Sequence, residues 1–167
     1  TADGAVEMIR QLKVVHDSAV VNRSSTMIMM KAMLVHSSDE MRRETNRMSR
    51  PKLARHLAAS RPRNLDSPDD ALRHSVRTLA RRWLTLDAEA KELEGLIEAL
   101  VRRTAPQLLE QFGIGVDTAA EILIVVGDNP ERIRSEAAFA KLAGIAPVPT
   151  GSGLTSGKHR INHGGHR

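Results

Sequence analysis

Leu72, Val76, Leu79, Trp83, Leu86, Ala90, Leu93, Ile97 and Leu100 recur at alternating spacings of four and three. That spacing places every one of them on a single stripe of an α-helix, and no strand produces it. The start of the helix is marked as clearly. Ser67 supplies a capping hydroxyl, Pro68 a pre-set φ, and Asp69 and Asp70 put negative charge in the first turn. Burying such a stripe is worth about 1.5–3 kcal/mol per large apolar side chain before ordering entropy is subtracted. A lone helix gains none of it, so the stripe demands a partner helix. The acids Asp87, Glu89, Glu92, Glu94 and Glu98 lie mostly off the stripe and read as a solvated face.

A second stripe precedes it: Ala5, Met8, Leu12, Val15, Ala19, Asn22, Thr26, Met29, Met33 and His36, with a polar centre at Asn22 and Thr26. The two stripes either cover each other in an antiparallel hairpin or each meet a second protomer. Between them, Ser38 to Ser60 reads as one or two short basic helices with Ser49 as a cap ahead of Pro51, followed by a loop over Asn64–Pro68. After Thr104-Ala105-Pro106 the texture changes. Gln107–Phe112 is a short helix, Gly113-Ile114-Gly115 a tight turn, and Asp117–Val126 a more apolar helix; Ser135 caps another short helix that runs through Leu142 to Gly144. Ala146–Pro149 is extended, and Thr150–Arg167 is a glycine-rich basic tail with no strand pattern. The expected fold is therefore all-α. A long antiparallel, coiled-coil-like segment occupies residues 1–103, with a basic insert at 38–66. Residues 104–167 form a small domain containing a helix-hairpin-helix and ending in an irregular Gly/basic tail.

Charge narrows the partners. Lys and Arg number 25 against 20 Asp and Glu, for a net charge of +5. The excess is concentrated in Arg42, Arg43, Arg47, Arg50, Lys52 and Arg55 and in the acid-free tail. Such clusters suit a polyanion, whose counterions they release; the alternative is a solvated basic face. Aromatics are only 2% of the chain, which excludes a platform that stacks successive bases on aromatic faces. There is no cysteine, so neither disulfides nor thiolate-held zinc is available, and the composition fits a reducing cytoplasm. No apolar run approaches the ~18–20 residues of a membrane span, so no membrane partner is expected.

Three constellations are able to carry chemistry. Leu108-Leu109-x-x-Phe112-Gly113-Ile114-Gly115-x-x-Thr118-Ala119 resembles a helix-hairpin-helix, in which glycines expose backbone N–H groups beside a helix N-terminus and offer a DNA phosphate a seat. The alternative is an ordinary αα-hairpin whose glycines serve close packing. Ser152, between Gly151 and Gly153, has an accessible hydroxyl, and Lys158, His159 and Arg160 can stabilise a developing phosphorane. The alternative is a flexible basic tail. The glycine-to-lysine spacing is not that of a Walker loop. His159, His163 and His166 lack an accompanying carboxylate or thiolate in the tail, so phosphate contact or solvation is expected there rather than a metal.

The order of these motifs carries a family resemblance. Gly113–Ala120, Gly127-Asp128-Asn129-Pro130-Glu131-Arg132, Ser135–Ala140, Gly144–Pro149, Gly151–Thr155 and Arg160–Gly165 follow one another as in the C-terminal domain of insertion-sequence transposases of the IS-one-ten (IS-eleven-eleven) type. The resemblance covers residues 104–167 in detail, and residues 1–103 resemble the family's helical linker in charge and periodicity. It implies a DNA transposase with an upstream RuvC-like domain whose four acidic residues bind a divalent metal such as magnesium. It further implies a serine, here Ser152, that attacks DNA to form a phosphoserine link, with Gly151 standing where many relatives have a second serine. Ser156 is the competing position.

On this reading, Gly113, Gly115, Thr118, Lys158, His159, Arg160 and Arg167 contact DNA phosphate. The family also implies a homo-oligomer, here through the helical segment, a structured guide RNA in several members, and a nucleoid-associated place in a bacterial cytoplasm. The metal-binding acids are expected upstream of Thr1 and the last domain is expected to be cut before it closes; Asp3, Glu7 and Asp17 read as helix-surface acids. Alone, the chain is expected not to recombine DNA. The rivals are a non-catalytic DNA-binding module and a coiled-coil dimerisation protein joined through Leu72–Leu100.

Overall fold

The computed structural model describes residues 4–61, 64–127, 133–150 and 157–161. Its helices are α1 (Ala5–Val35), α2 (Asp39–Thr45), α3 (Arg50–Ala59), α4 (Pro68–Thr104), α5 (Pro106–Leu109), α6 (Val116–Val126) and α7 (Glu136–Leu142). Two short strands follow, β1 (Pro147–Pro149) and β2 (His159–Ile161). The mostly α architecture is the one the sequence implies. The chain divides into two compact units, Gln11–Glu98 and the combination of Thr1–Arg10 with Ala99–Arg167.

In the Gln11–Glu98 unit, α4 begins where its capping residues place it. The Ser67 hydroxyl accepts the Asp70 N–H at 3.2 Å and donates to the Asp70 carboxylate at 2.5 Å, and Pro68 is the first helical residue. The α4 stripe is the buried face. Val76, Trp83, Ala90 and Ile97 are buried, and Leu72, Leu79, Leu86, Leu93 and Leu100 are half-buried. Val76, Ala80 and Trp83 join Met27, Met30 and Leu34 of α1, Met41 of α2, and Leu53, Ala54 and Leu57 of α3 in one core. Of the two partners open to the stripe, this stretch takes the helix in its own chain. Arg23 of α1 meets Asp87 of α4 at 2.6 Å. Going forward along α1 from Arg23 to Leu34 therefore means going backward along α4 from Asp87 to Val76, and the helices run antiparallel.

The α1 stripe differs from its sequence reading. Val6, Ile9 and Lys13 are buried where Ala5, Met8 and Leu12 were expected, and Met27, Met30 and Leu34 carry the contact further along. Met8, Val15 and Met29 are exposed. The helix is apolar on more than one face, with Val14, Val21 and Ile28 also in solvent, so spacing alone does not single out the stripe that packs. Lys13 conceals the true line because a lysine is rarely buried. Its ammonium is held by both oxygens of Asp17, at 2.7 and 2.8 Å. Thr26 is buried as expected, and its hydroxyl donates to the Asn22 carbonyl at 2.7 Å.

The basic insert forms two helices rather than one. Ser38 caps α2 by accepting the Met41 N–H, Ser49 occupies the cap position of α3, and Pro51 sits in its first turn. His56 of α3 lies 3.1 Å from Glu44 of α2.

In the other unit, Val6, Ile9, Val101, Ala119 and Ala120 are buried, and α5 packs on α6. The expected helix over Gln107–Phe112 is a single turn, Pro106–Leu109, continued by turn bonds from Gln111 N to Leu108 O and from Ile114 N to Gln111 O. Ser135 caps α7 as expected, its hydroxyl accepting the Ala138 N–H at 3.1 Å. The tail departs from its reading as wholly irregular, because β1 and β2 pair antiparallel with Val148 opposite Arg160. Thr150 N–H donates to the Lys158 carbonyl at 2.9 Å, which fixes the hydrogen-bonding parity of the ladder. Pro147 and Pro149 therefore occupy positions that need no donor, which is how a Pro-Val-Pro segment serves as a strand.

Two stability predictions follow from the α1–α4 contact. Trp83→Ala is expected to cost about 3–5 kcal/mol, read from urea denaturation. Asp87 belongs to the buried contact rather than to the solvated face expected for it. Burial alone would raise its carboxyl pKa, but hydrogen bonds and charge from Lys91 and Arg23 outweigh that and hold it below the ordinary carboxylate value. A carboxyl lowered by folding stabilises the fold above its unfolded pKa, and that stability is lost as pH falls through its folded pKa. Asp87→Asn should cost about 1 kcal/mol at neutral pH, with the difference from wild type vanishing below the carboxylate range.

Candidate nucleic-acid interface

The α5–α6 turn is built by its glycines in two different ways. Gly113 has φ of 85°, a left-handed conformation that side-chain-bearing residues adopt only at a cost. Gly115 caps α6 with φ of −88° and ψ of 178°, ordinary extended backbone. A Cβ placed on either glycine would meet nothing within 4 Å. Among the described residues, neither glycine is therefore required by a close approach of neighbouring atoms. At Gly115 no backbone strain is involved; the residue serves as the N-cap of α6, a position that glycine suits, and it leaves the first turn of α6 open.

Thr118 lies exposed in that first turn, and Asp117 beside it supplies negative charge. At the tip, Phe112 is fully exposed. A large aromatic side chain with no covering protein among the described residues is a feature the sequence does not reveal, since periodicity groups it with the apolar residues of a helix.

The tail residues separate. Lys158, His159 and Arg160 are all exposed. Strand alternation puts His159 and Ile161 on one face of β2 and Arg160 on the other, so the three cations do not form one patch. His159 Nδ1 lies 3.0 Å from the Gly157 carbonyl. Ser152 and Ser156, and Asn162 to Arg167 with His163, His166 and Arg167, lie outside the described residues. Their flanks are described. Besides the backbone bond, the Thr150 hydroxyl donates to the Lys158 carbonyl at 3.2 Å, so the residues on either side of 151–156 are tied together.

The basic insert presents Arg42, Arg43, Arg47, Arg50, Lys52 and Arg55 on its surface. Arg42 is partly committed, being paired to Asp39 and donating to the Val35 carbonyl at 3.1 Å. The other five form no ion pair among the described residues.

Comparison with known proteins assigns the C-terminal part. Residues 105–167 match the transposase IS116/IS110/IS902 family. That segment is similar to the family. The resemblance read from the motifs is thereby shown for this region, and the α5–α6 turn, the β1–β2 pair and the segment containing Ser152 all fall inside the match. The chain is 37% identical over 84 residues to an uncharacterized 42 kDa protein of insertion element IS900 from Mycobacterium paratuberculosis, covering 49% of this chain and 21% of that protein. It is 33% identical over 94 residues to an uncharacterized 43.6 kDa protein of insertion element IS110 from Streptomyces coelicolor, covering 55% of this chain and 23% of that protein. The chain thus aligns with about a fifth of the length of these relatives. No solved structure matches it. Among the described residues no helix is long and apolar enough to cross a membrane.

The two glycines of the transposase-family turn are separable by experiment. Gly113→Ala should destabilise the chain by about 1–2 kcal/mol through its φ. Gly115→Ala, which puts a poor capping residue at the start of α6, should cost less, about 0.5–1 kcal/mol. Thermal unfolding of both variants measures the contrast.

Proposed function

We propose that the chain contributes the DNA-gripping and serine-bearing part of an insertion-element transposase. The observation that carries this reading is the family match over residues 105–167, a segment that holds both the open glycine turn and Ser152. The chemistry is phosphoryl transfer. The Ser152 hydroxyl gives up its proton and attacks a DNA phosphorus. A P–O bond to serine forms as a P–O bond within the strand breaks, and the departing sugar oxygen takes a proton. The phosphoserine link keeps the bond energy of the cleaved strand, so a new strand end reverses the step without an outside energy source. Charge building on the pentacoordinate phosphorus is stabilised by cations, for which Lys158, His159, Arg160 and Arg167 are the candidates.

The α5–α6 turn holds the duplex by its backbone. N–H groups at Gly113, Gly115 and the start of α6, together with the Thr118 hydroxyl, face a phosphate. Such contacts position DNA and read no sequence, so target choice lies with other elements, a guide RNA among them.

The family's divalent metal belongs to its upstream acids. Here Glu7 is paired to Arg10. Burial by itself would raise the Asp17 carboxyl, but the Lys13 and His16 hydrogen bonds hold it below its ordinary value. No step is assigned to a metal in this chain.

The test joins the chain behind a RuvC-like domain of the family and measures strand exchange and covalent protein–DNA adduct. Ser152→Ala should abolish both, and Ser156→Ala should leave both within about threefold of wild type. Full exchange by Ser152→Ala would reduce the chain to a DNA-gripping module, which is the rival non-catalytic reading.

A further inference from the structure

In the Gln11–Glu98 unit, the end of α1 and the two basic helices enclose an open cleft of about 400 Å³. Its wall combines two chemistries. Leu34 and Leu53 are buried at its base, and half-buried Met48 and exposed Val35 continue the apolar surface outward. Lys31, Arg42 and Arg43 supply positive charge, Arg42 being paired to Asp39, and among the described residues no acid lines the cleft. Lys31 and Arg43 form no ion pair among the described residues, and Arg42 is steadied by its bond to the Val35 carbonyl. Asn46, exposed at the end of α2, brings a side-chain amide to the lining; its backbone N–H is already committed to the Arg42 carbonyl.

We infer that this cleft takes one unpaired nucleotide of a nucleic-acid strand. The inference rests on the nucleic-acid reading given above and extends it to a part of the chain outside residues 105–167. A nucleotide has the same division as the cleft, with a flat apolar base, polar base edges and an anionic phosphate. The base lies against Leu34, Leu53 and the polarisable Met48 thioether, a contact sulfur makes well with π-faces. The Asn46 amide, with one acceptor and two donors, meets the base edge. Lys31 and Arg43 neutralise the phosphate.

The volume lies in the range of pockets that bind small ligands, about 300–1,000 Å³. Arg47, Arg50, Lys52 and Arg55, each within two residues of lining residues Asn46, Met48 or Leu53, continue the positive charge along the strand on either side. The shortage of aromatics excludes a platform for successive bases but not this arrangement, which engages one base on aliphatic and thioether surface. A paired base is already stacked and its edge occupied, so the cleft discriminates single strands from duplex.

The test measures binding of the full chain to fluorescein-labelled oligonucleotides of one sequence and length, as single-stranded DNA, single-stranded RNA and duplex DNA. Wild type should bind a single strand about tenfold tighter than duplex. Asn46→Trp, at the exposed C-cap of α2 where a large side chain fills the mouth, should remove that preference while leaving duplex binding and the circular dichroism spectrum unchanged. Arg43→Glu, as a second variant, should weaken single-strand binding more than duplex binding. The DNA and RNA arms identify which strand is the occupant.

Equal affinity for single strand and duplex, a preference that survives Asn46→Trp, or capture of an acidic peptide in place of a strand would overturn the inference. If duplex binding persists in those cases, the proposed function stands and only the cleft's role falls. If no oligonucleotide binds at low salt, both fall.

Discussion

The packing of Trp83 and its neighbours on α4 against Met27, Met30 and Leu34 of α1 is the contact on which the Gln11–Glu98 unit depends. Neither long helix is stable in water on propensity alone, and the 41 residues between Leu34 and Val76 must be looped back before the contact forms. The core lowers that cost by drawing in the connection. Met41 of α2 and Leu53, Ala54 and Leu57 of α3 pack into the same cluster, so the basic insert folds as part of the unit rather than as a loop outside it. The Arg23–Asp87 pair then sets the register of the two long helices, because an ion pair made across helices at a half-buried position tolerates little sliding.

This packing has a consequence for charge. With one side of α2 and α3 committed to the core, their arginines and lysines are held on the other side. A basic run on a disordered loop would pay ordering entropy each time it met a polyanion; here much of that cost is met by folding. The cleft beside α1 exists for the same reason, since it lies where α2 and α3 meet the end of the long helix. The α4 stripe is covered by α1 over Val76–Trp83, so a second protomer is not required to bury that stretch.

How far the sequence could be read depended on how many choices each residue pattern left open. The α4 stripe was legible almost residue by residue because its opposite face is charged and only one stripe is apolar. The α1 stripe was read about one position off, since valines and methionines lie on several faces and a buried lysine interrupts the true line. Capping by Ser67 and Ser135 was legible because it depends on residues within one turn. The β1–β2 pair was missed, as its prolines argue against a strand and the pairing that accommodates them joins residues about ten apart. In the candidate interface, the glycine turn was visible as a motif, whereas the exposure of Phe112 and the place of Asn46 and Met48 in a cleft were not.

The sequence by itself determined the helical class, the boundaries of α4 and α7, the concentration of positive charge and the similarity of residues 105–167 to a transposase family. All of these follow from local spacing, turn chemistry and motif order, which the chain carries without reference to distant residues. Tertiary structure decided which face of α1 packs, that the α4 stripe meets its own chain over Val76–Trp83, that Arg160 and His159 face opposite ways, and that Lys31, Arg43, Asn46 and Met48 share one cleft. Each of those depends on the direction of a side chain relative to elements remote in sequence. That direction is settled only when burial, pairing and sterics are satisfied together.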